Sequence, residues 1–220
     1  MSHAAPDWGR IDTVLLDMDG TLLDLHFDTH FWLQHVPLRY AEMHGINVED
    51  SRSKLMARYR QAEGTLDWYS VDYWTDQLGL DIPMLKQEVD HLISVRPDVI
   101  PFLEALKEVG KRRVLVTNAH GKSLALKMRK TPIGEHLDSV VCAHDIGLAK
   151  EEAEFWHRLH DRIGYHRENT LLIDDSIKVL KSADDYGIEH LRAILKPDSQ
   201  SPPVDADPYI HIDRFSDIRP

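Results

Sequence analysis

The chain has 220 residues, 42% of them hydrophobic, and a formal net charge of −11. That length suits one large domain or a core carrying an insertion, and the composition supports a packed interior. The acidic balance disfavours nucleic acid or an anionic membrane surface as partner, because the long-range field repels both.

In chain order, short apolar runs predict buried parallel strands at 13–16, 113–116, 139–143, 170–173 and 191–195. Amphipathic stretches at 101–109, 122–130 and 177–186 predict helices, the first opened by Pro101 and stopped by Gly110. Alternation of strand and helix predicts an α/β fold with a doubly wound parallel sheet and right-handed crossovers. The stretch 22–95 has several helical patterns and no convincing strand, more than one crossover requires. It reads as an inserted α-helical cap of residues 23–94, with 1–22 and 95–220 forming the core. Pro197, Pro202, Pro203 and Pro208 predict a loop before a last short strand at 209–212. The single cysteine, Cys142, excludes an internal disulfide and a thiolate zinc site, and reads as core filler. With no signal-peptide pattern and no membrane-length apolar run, a cytoplasmic location is expected.

The densest chemical signal is Asp17-Met18-Asp19-Gly20-Thr21, directly behind the apolar run Val14-Leu15-Leu16. It places two carboxylates at the carboxyl end of a buried strand, where open α/β sheets present their ligands. Neighbouring positions on a regular strand alternate faces, so the chain must curl as the strand ends for both acids to serve one site, and Gly20 permits that curl. Asp17 then suits a nucleophile and Asp19 a proton carrier, the pair needed to cleave a phosphate ester through an aspartyl-phosphate. The bland alternative is a solvated turn, since Asp, Gly and Thr are ordinary turn residues.

Three later signals fall at or just beyond predicted strand ends. Thr117 and Asn118 offer a hydroxyl and backbone N–H groups for phosphoryl oxygens, although a threonine there is also a common cap. Lys150 supplies positive charge to shield the Asp17 carboxylate from a substrate phosphate, although a lone lysine is more often a surface residue. Asp174 and Asp175 are adjacent acids whose mutual repulsion a divalent cation would remove. Hard oxygen ligands favour Mg²⁺, with Asp17, the carbonyl of Asp19 and Asp175 as direct ligands and Asp174 binding directly or through water.

These residues resemble, in order, the four motifs of the haloacid dehalogenase superfamily of phosphohydrolases. The resemblance implies Asp17 as nucleophile, Asp19 as general acid and base, Thr117 as phosphate-binding hydroxyl, Lys150 as shielding lysine, Asp174 and Asp175 as metal-site acids, and a C1 cap. More narrowly, Asp17 to Leu25, Trp68-Tyr69, Asp72-Tyr73-Trp74, Gln77 to Asp81, Ile100 to Lys107 and Thr117 to His120 look like the bacterial GMP/IMP 5′-nucleotidases of that superfamily. Ala149 departs from the proline expected before the motif lysine.

Specificity is expected in the cap, where Trp68, Tyr69, Tyr73 and Trp74 offer flat faces for a purine, or else simply pack. His26, Asp28, Gln34 and Arg39 are candidate readers of the base edge. The helically spaced pairs His26/His30 and His157/His160 lack a third ligand for zinc. The expected partner is a small phosphate ester, a purine nucleoside monophosphate. A phosphatase for sugar phosphates or phosphoglycolate, a phosphosugar mutase and, outside enzymes, a phosphoacceptor signalling domain or a phosphate-binding protein stand as alternatives. A dehalogenase would give Asp19 no task.

Overall fold

The computed structural model describes residues 5–220. Six strands, β1 Thr13–Leu16, β2 Arg112–Thr117, β3 Ser139–Cys142, β4 Thr170–Asp174, β5 His190–Ile194 and β6 His211–Ile212, form one all-parallel sheet. Their order is β3-β2-β1-β4-β5-β6, so β1 is central and the β1–β2 and β1–β4 neighbours diverge from it. Ligands gather at such a switch point. Side-chain alternation explains why the runs read as continuously apolar: Val14 and Leu16 pack on one face with Leu115, Leu171 and Ile173, while Leu15 packs on the other with Val114, Val116 and Leu172.

Between β1 and β2 lie α1 His26–His30, a π-turn at Phe31–His35, α2 Val36–His44, α3 Val48–Ala62, α4 Leu66–Tyr69, α5 Val71–Leu78 and α6 Ile82–Glu88. Side chains mark several starts: Asn47 accepts from Asp50 N at 2.8 Å, Ser70 from Tyr73 N at 3.1 Å and Asp81 from Met84 N at 3.0 Å. These helices bury their own apolar cluster, centred on Phe27, Phe31, Leu55, Tyr59 and Trp74. The chain leaves and re-enters the core side by side, where Leu23 bridges Val95 and Asp24 N donates to Ser94 O at 3.0 Å. Arg96 fixes this crossing, donating to the carbonyls of Pro197 at 3.1 Å and of Lys196.

The remaining helices are α7 Val99–Glu108, α8 Gly121–Lys130, α9 Ala143–Ile146, α10 Ala153–Ile163 and α11 Ile177–Tyr186. The terminal strand is shorter than its expected range, because after the proline-rich loop only two residues pair with β5. Cys142 is a buried, unpaired thiol at the end of β3. No helix among the described residues is long and apolar enough to cross a membrane.

Candidate active site

The first motif turns just beyond β1. Met18 points into the core, while Asp17 and Asp19 line a cleft of about 480 Å³ between the sheet's carboxyl edge and the helical insert. Gly20, at φ +87°, makes the turn, with its N–H on Leu23 O at 2.8 Å. The left-handed conformation favours glycine, and a Cβ there would overlap the Asp175 carboxylate.

Lys150 is the hub. Its Nζ lies 2.6 Å from Asp17 Oδ1, 2.7 Å from Asp174 Oδ2 and 3.1 Å from the Val116 carbonyl, and the side chain is buried. Asp17, Asp174 and Asp175 each offer an oxygen, all within 4.8 Å of one another. Burial, together with repulsion from Asp174 and only partly offset by Lys150, lifts Asp17 to about 6. Burial and the neighbouring acids likewise push Asp175 well up, and burial raises Asp174. Despite burial, the two acids hold Lys150 charged, well above the ordinary lysine range.

Three carboxylates therefore face one ammonium, and Asp17 Oδ2 is buried without a partner. This all-oxygen, net-negative pocket fits a hard divalent cation such as Mg²⁺. The Asp174–Asp175 pair does not act as the helix cap: Ser176 caps α11, and Asp174 Oδ1 accepts from Ser176 N at 2.9 Å.

Thr117, at the end of β2, is buried against the cleft, and its Oγ1 accepts from Ala119 N at 3.0 Å. The Asn118 side chain is already committed. It accepts from Lys150 N at 2.9 Å and donates to Glu151 Oε2 at 2.9 Å, so it shapes the lysine loop. Ala149 N donates to Glu152 Oε1 at 2.9 Å, a bond a proline could not make. That bond holds the loop where proline rigidity was expected.

The insert residues divide. Trp68 and Tyr69 line the cleft, and Tyr69 donates to Glu151 Oε1 at 2.5 Å. Trp74 does not line it. Its ring is buried among Trp32, Tyr59 and Tyr73 and its Nε1 donates to Trp68 O at 2.9 Å, so this expected purine contact packs the insert instead. Of the expected base readers, Gln34 and Arg39 are exposed or half-exposed away from the cleft wall and His26 is also absent from it. Asp28 lines the cleft with both oxygens engaged, by Lys86 at 2.7 Å and Lys127 at 2.5 Å. Those ion pairs tie its carboxylate to two buried ammonium groups.

Lys127 is the residue motif reasoning missed. Its Nζ lies 2.6 Å from Asp19 Oδ1. The available signal was a lysine on the apolar face of α8, four residues after Ser123 and next to Leu126, all three buried. Burial, with repulsion from Asp28 and Asp17, outweighs Lys127 and lifts Asp19 to about 6.

A family model described as haloacid dehalogenase-like hydrolase matches residues 11–187. The chain belongs to this family. It is an enzyme, a hydrolase of phosphoric monoesters. It is 43% identical over 197 residues, 90% of this chain and 89% of the relative, to the GMP/IMP nucleotidase YrfG of Escherichia coli (strain K12). An (S)-2-haloacid dehalogenase 4A of Burkholderia cepacia is 23% identical over 81% of this chain and 80% of its own length. Among solved structures, a HAD phosphatase from Thermococcus onnurineus superposes with a TM-score of 0.78 at 22% identity, covering 95% of this chain and 96% of that one. At that identity the likeness establishes the fold.

Proposed function

We propose that this hydrolase releases phosphate from purine nucleoside 5′-monophosphates, IMP and GMP, through an aspartyl-phosphate on Asp17. One observation carries the substrate: the 43% identity to a GMP/IMP nucleotidase extends over 90% of the chain, more than residues 1–22 and 95–220 alone could supply. The cleft supports it, because Trp32, Tyr59, Trp68 and Tyr69 surround the space beyond the acids with aromatic surface suited to a base.

In the first step an Asp17 oxygen attacks phosphorus and the bond to O5′ breaks. Protonated Asp19 gives its proton to that oxygen, so a neutral nucleoside leaves. Ionised Asp19 then takes a proton from water as the water oxygen attacks phosphorus, releasing inorganic phosphate and regenerating Asp17 and protonated Asp19. Burial serves this cycle by raising Asp19 to about 6, where both protonation states are accessible near neutrality. Lys150 holds Asp17 in place and lessens the repulsion between its carboxylate and the incoming phosphate. In this reading the Thr117 hydroxyl and the backbone N–H of Asn118, two residues that line the cleft, hold the non-transferring oxygens.

Asp17, the Asp19 carbonyl, Asp174 and Asp175 would hold Mg²⁺, which when bound supplies the charge to neutralise phosphate oxygens. Residues 23–94 act as the cap that selects the leaving group, with Trp68 as a base contact. A location in the cytoplasm suits a nucleoside monophosphate substrate.

Phosphate release with Mg²⁺ across nucleoside monophosphates, hexose phosphates and phosphoglycolate tests the reading. GMP and IMP should exceed AMP and every sugar phosphate in kcat/KM by at least about tenfold, roughly the discrimination one or two hydrogen bonds to a base edge supply. A higher kcat/KM for a hexose phosphate or phosphoglycolate would reject the nucleotide assignment.

A further inference from the structure

Lys127 has no task in the mechanism above, yet its ammonium rests on the proposed proton carrier. Nζ is 2.6 Å from Asp19 Oδ1 and 2.5 Å from Asp28 Oδ2. Asp28 Oδ1 accepts in turn from Lys86 at 2.7 Å, and the Lys86 ammonium stands 4.5 Å from the Phe31 ring centre and 4.8 Å from that of Phe27. Four charges thus alternate in sign, and three parts of the chain supply them: the turn after β1, core helix α8, and α1 and α6 of the insert.

Stability alone does not call for this row. A buried ion pair is commonly no better than apolar packing of the same volume, and an apolar residue at 127 would extend the contacts of Leu126. The row does fix the direction of one carboxyl group. Asp19 Oδ1 is tethered, whereas Asp19 Oδ2 accepts no hydrogen bond from the described residues, and Asp19 lines the cleft. A carboxyl held by one oxygen presents the other for proton exchange.

We propose that Lys127 is the positioning residue for the Asp19 carboxyl and that Asp28 holds Lys127 in register, so that Asp19 is aimed at the leaving oxygen only while the insert is seated on the core. This rests on the reading of Asp19 as proton carrier. The two half-reactions separate it from a structural role. A p-nitrophenolate leaves as its bond to phosphorus breaks without needing a proton, whereas a ribose or other alkyl oxygen needs the proton from Asp19. Hydrolysis of the aspartyl-phosphate needs a proton taken from water whichever ester formed it.

The test is Lys127→Met, assayed with Mg²⁺ on p-nitrophenyl phosphate and on the best alkyl phosphate of the panel. With the aryl ester, a burst approaching one nitrophenolate per protein is expected, then turnover slower by about 10²-fold. Acid-quenched protein should carry one added phosphoryl group on Asp17 by mass spectrometry. With the alkyl ester no burst or phosphoprotein is expected and the rate falls by at least about 10²-fold. An equal fall on both esters without phosphoprotein, or no fall, overturns the proposal. If Lys127→Met does not fold by circular dichroism, Asp28→Asn carries the test, with phosphoprotein again expected from the aryl ester alone and its absence overturning the proposal. A wild-type protein that turned over neither ester would instead overturn the reading of the site, and this inference with it.

Discussion

Asp17 is a buried carboxyl whose two oxygens stand in different surroundings. One of its oxygens is held by Lys150 at 2.6 Å and the other has no partner, while burial lifts the group to about 6. Asp17→Asn keeps the shape and removes one of three crowded acids, so the fold should be retained. Phosphate release from the best substrate should fall by at least about 10³-fold, as loss of a nucleophile does in enzymes of comparable design. Turnover near the wild-type rate, measured by phosphate release, would remove Asp17 from the mechanism. The convergence of these acids at one cleft was legible because their identities are unusual where they stand: paired acids behind apolar strands are hard to explain otherwise. Lys127 was not legible, because a lysine on an amphipathic helix is ordinary until the fold sets two carboxylates beside it.

At the scale of elements, the helical insert divides its aromatic side chains between its own packing and the cleft wall. Trp74 is buried beside Trp32, Tyr59 and Tyr73, whereas Trp68 is half-buried and faces the cleft. Trp74→Ala should therefore cost about 3–5 kcal/mol of stability, read by chemical denaturation, through the cavity it leaves. Trp68→Leu should instead raise KM for the nucleotide by about tenfold or more while leaving kcat within a few-fold, as loss of a stacking partner worth about 1–3 kcal/mol would. An unchanged KM in Trp68→Leu would reject stacking. The helices themselves were expected from their apolar periodicity. Which aromatic faces inward was not, because α4 and α5 are short and meet at Ser70, so the turn between them sets each ring's direction.

Across the whole molecule, the insert brings acids and the core brings lysines to their boundary: Asp72 meets Lys122 at 2.6 Å, Glu63 meets Lys178 at 2.8 Å and Asp90 meets Lys130 at 2.7 Å. These outer pairs are exposed enough to be individually weak. The acid cluster beneath has a larger consequence for pH. Asp17 and Asp19 each rise from 3.8 to about 6, so between those values the folded state binds more protons than the unfolded chain. Stability must then fall as pH rises through that window, by at most about 3 kcal/mol per group. In chelator, Asp17→Asn should gain stability over wild type on going from pH 4 to pH 7, measured by denaturant unfolding. Mg²⁺ should shrink that gain by stabilising the wild-type cluster. A difference independent of pH would show that Asp17 is not held neutral by burial.

The sequence by itself determined the parallel sheet, the helical insertion and the identity of the acids at the strand ends. These depend on local periodicity and on residue types that are costly to bury without a reason. Tertiary structure alone decided which charges touch. Asp28 from the insert and Lys127 from α8 become partners only when the insert is seated on the core, at a separation of 99 residues. Coulombic pairing depends on distance in space, and no spacing along the chain encodes that distance.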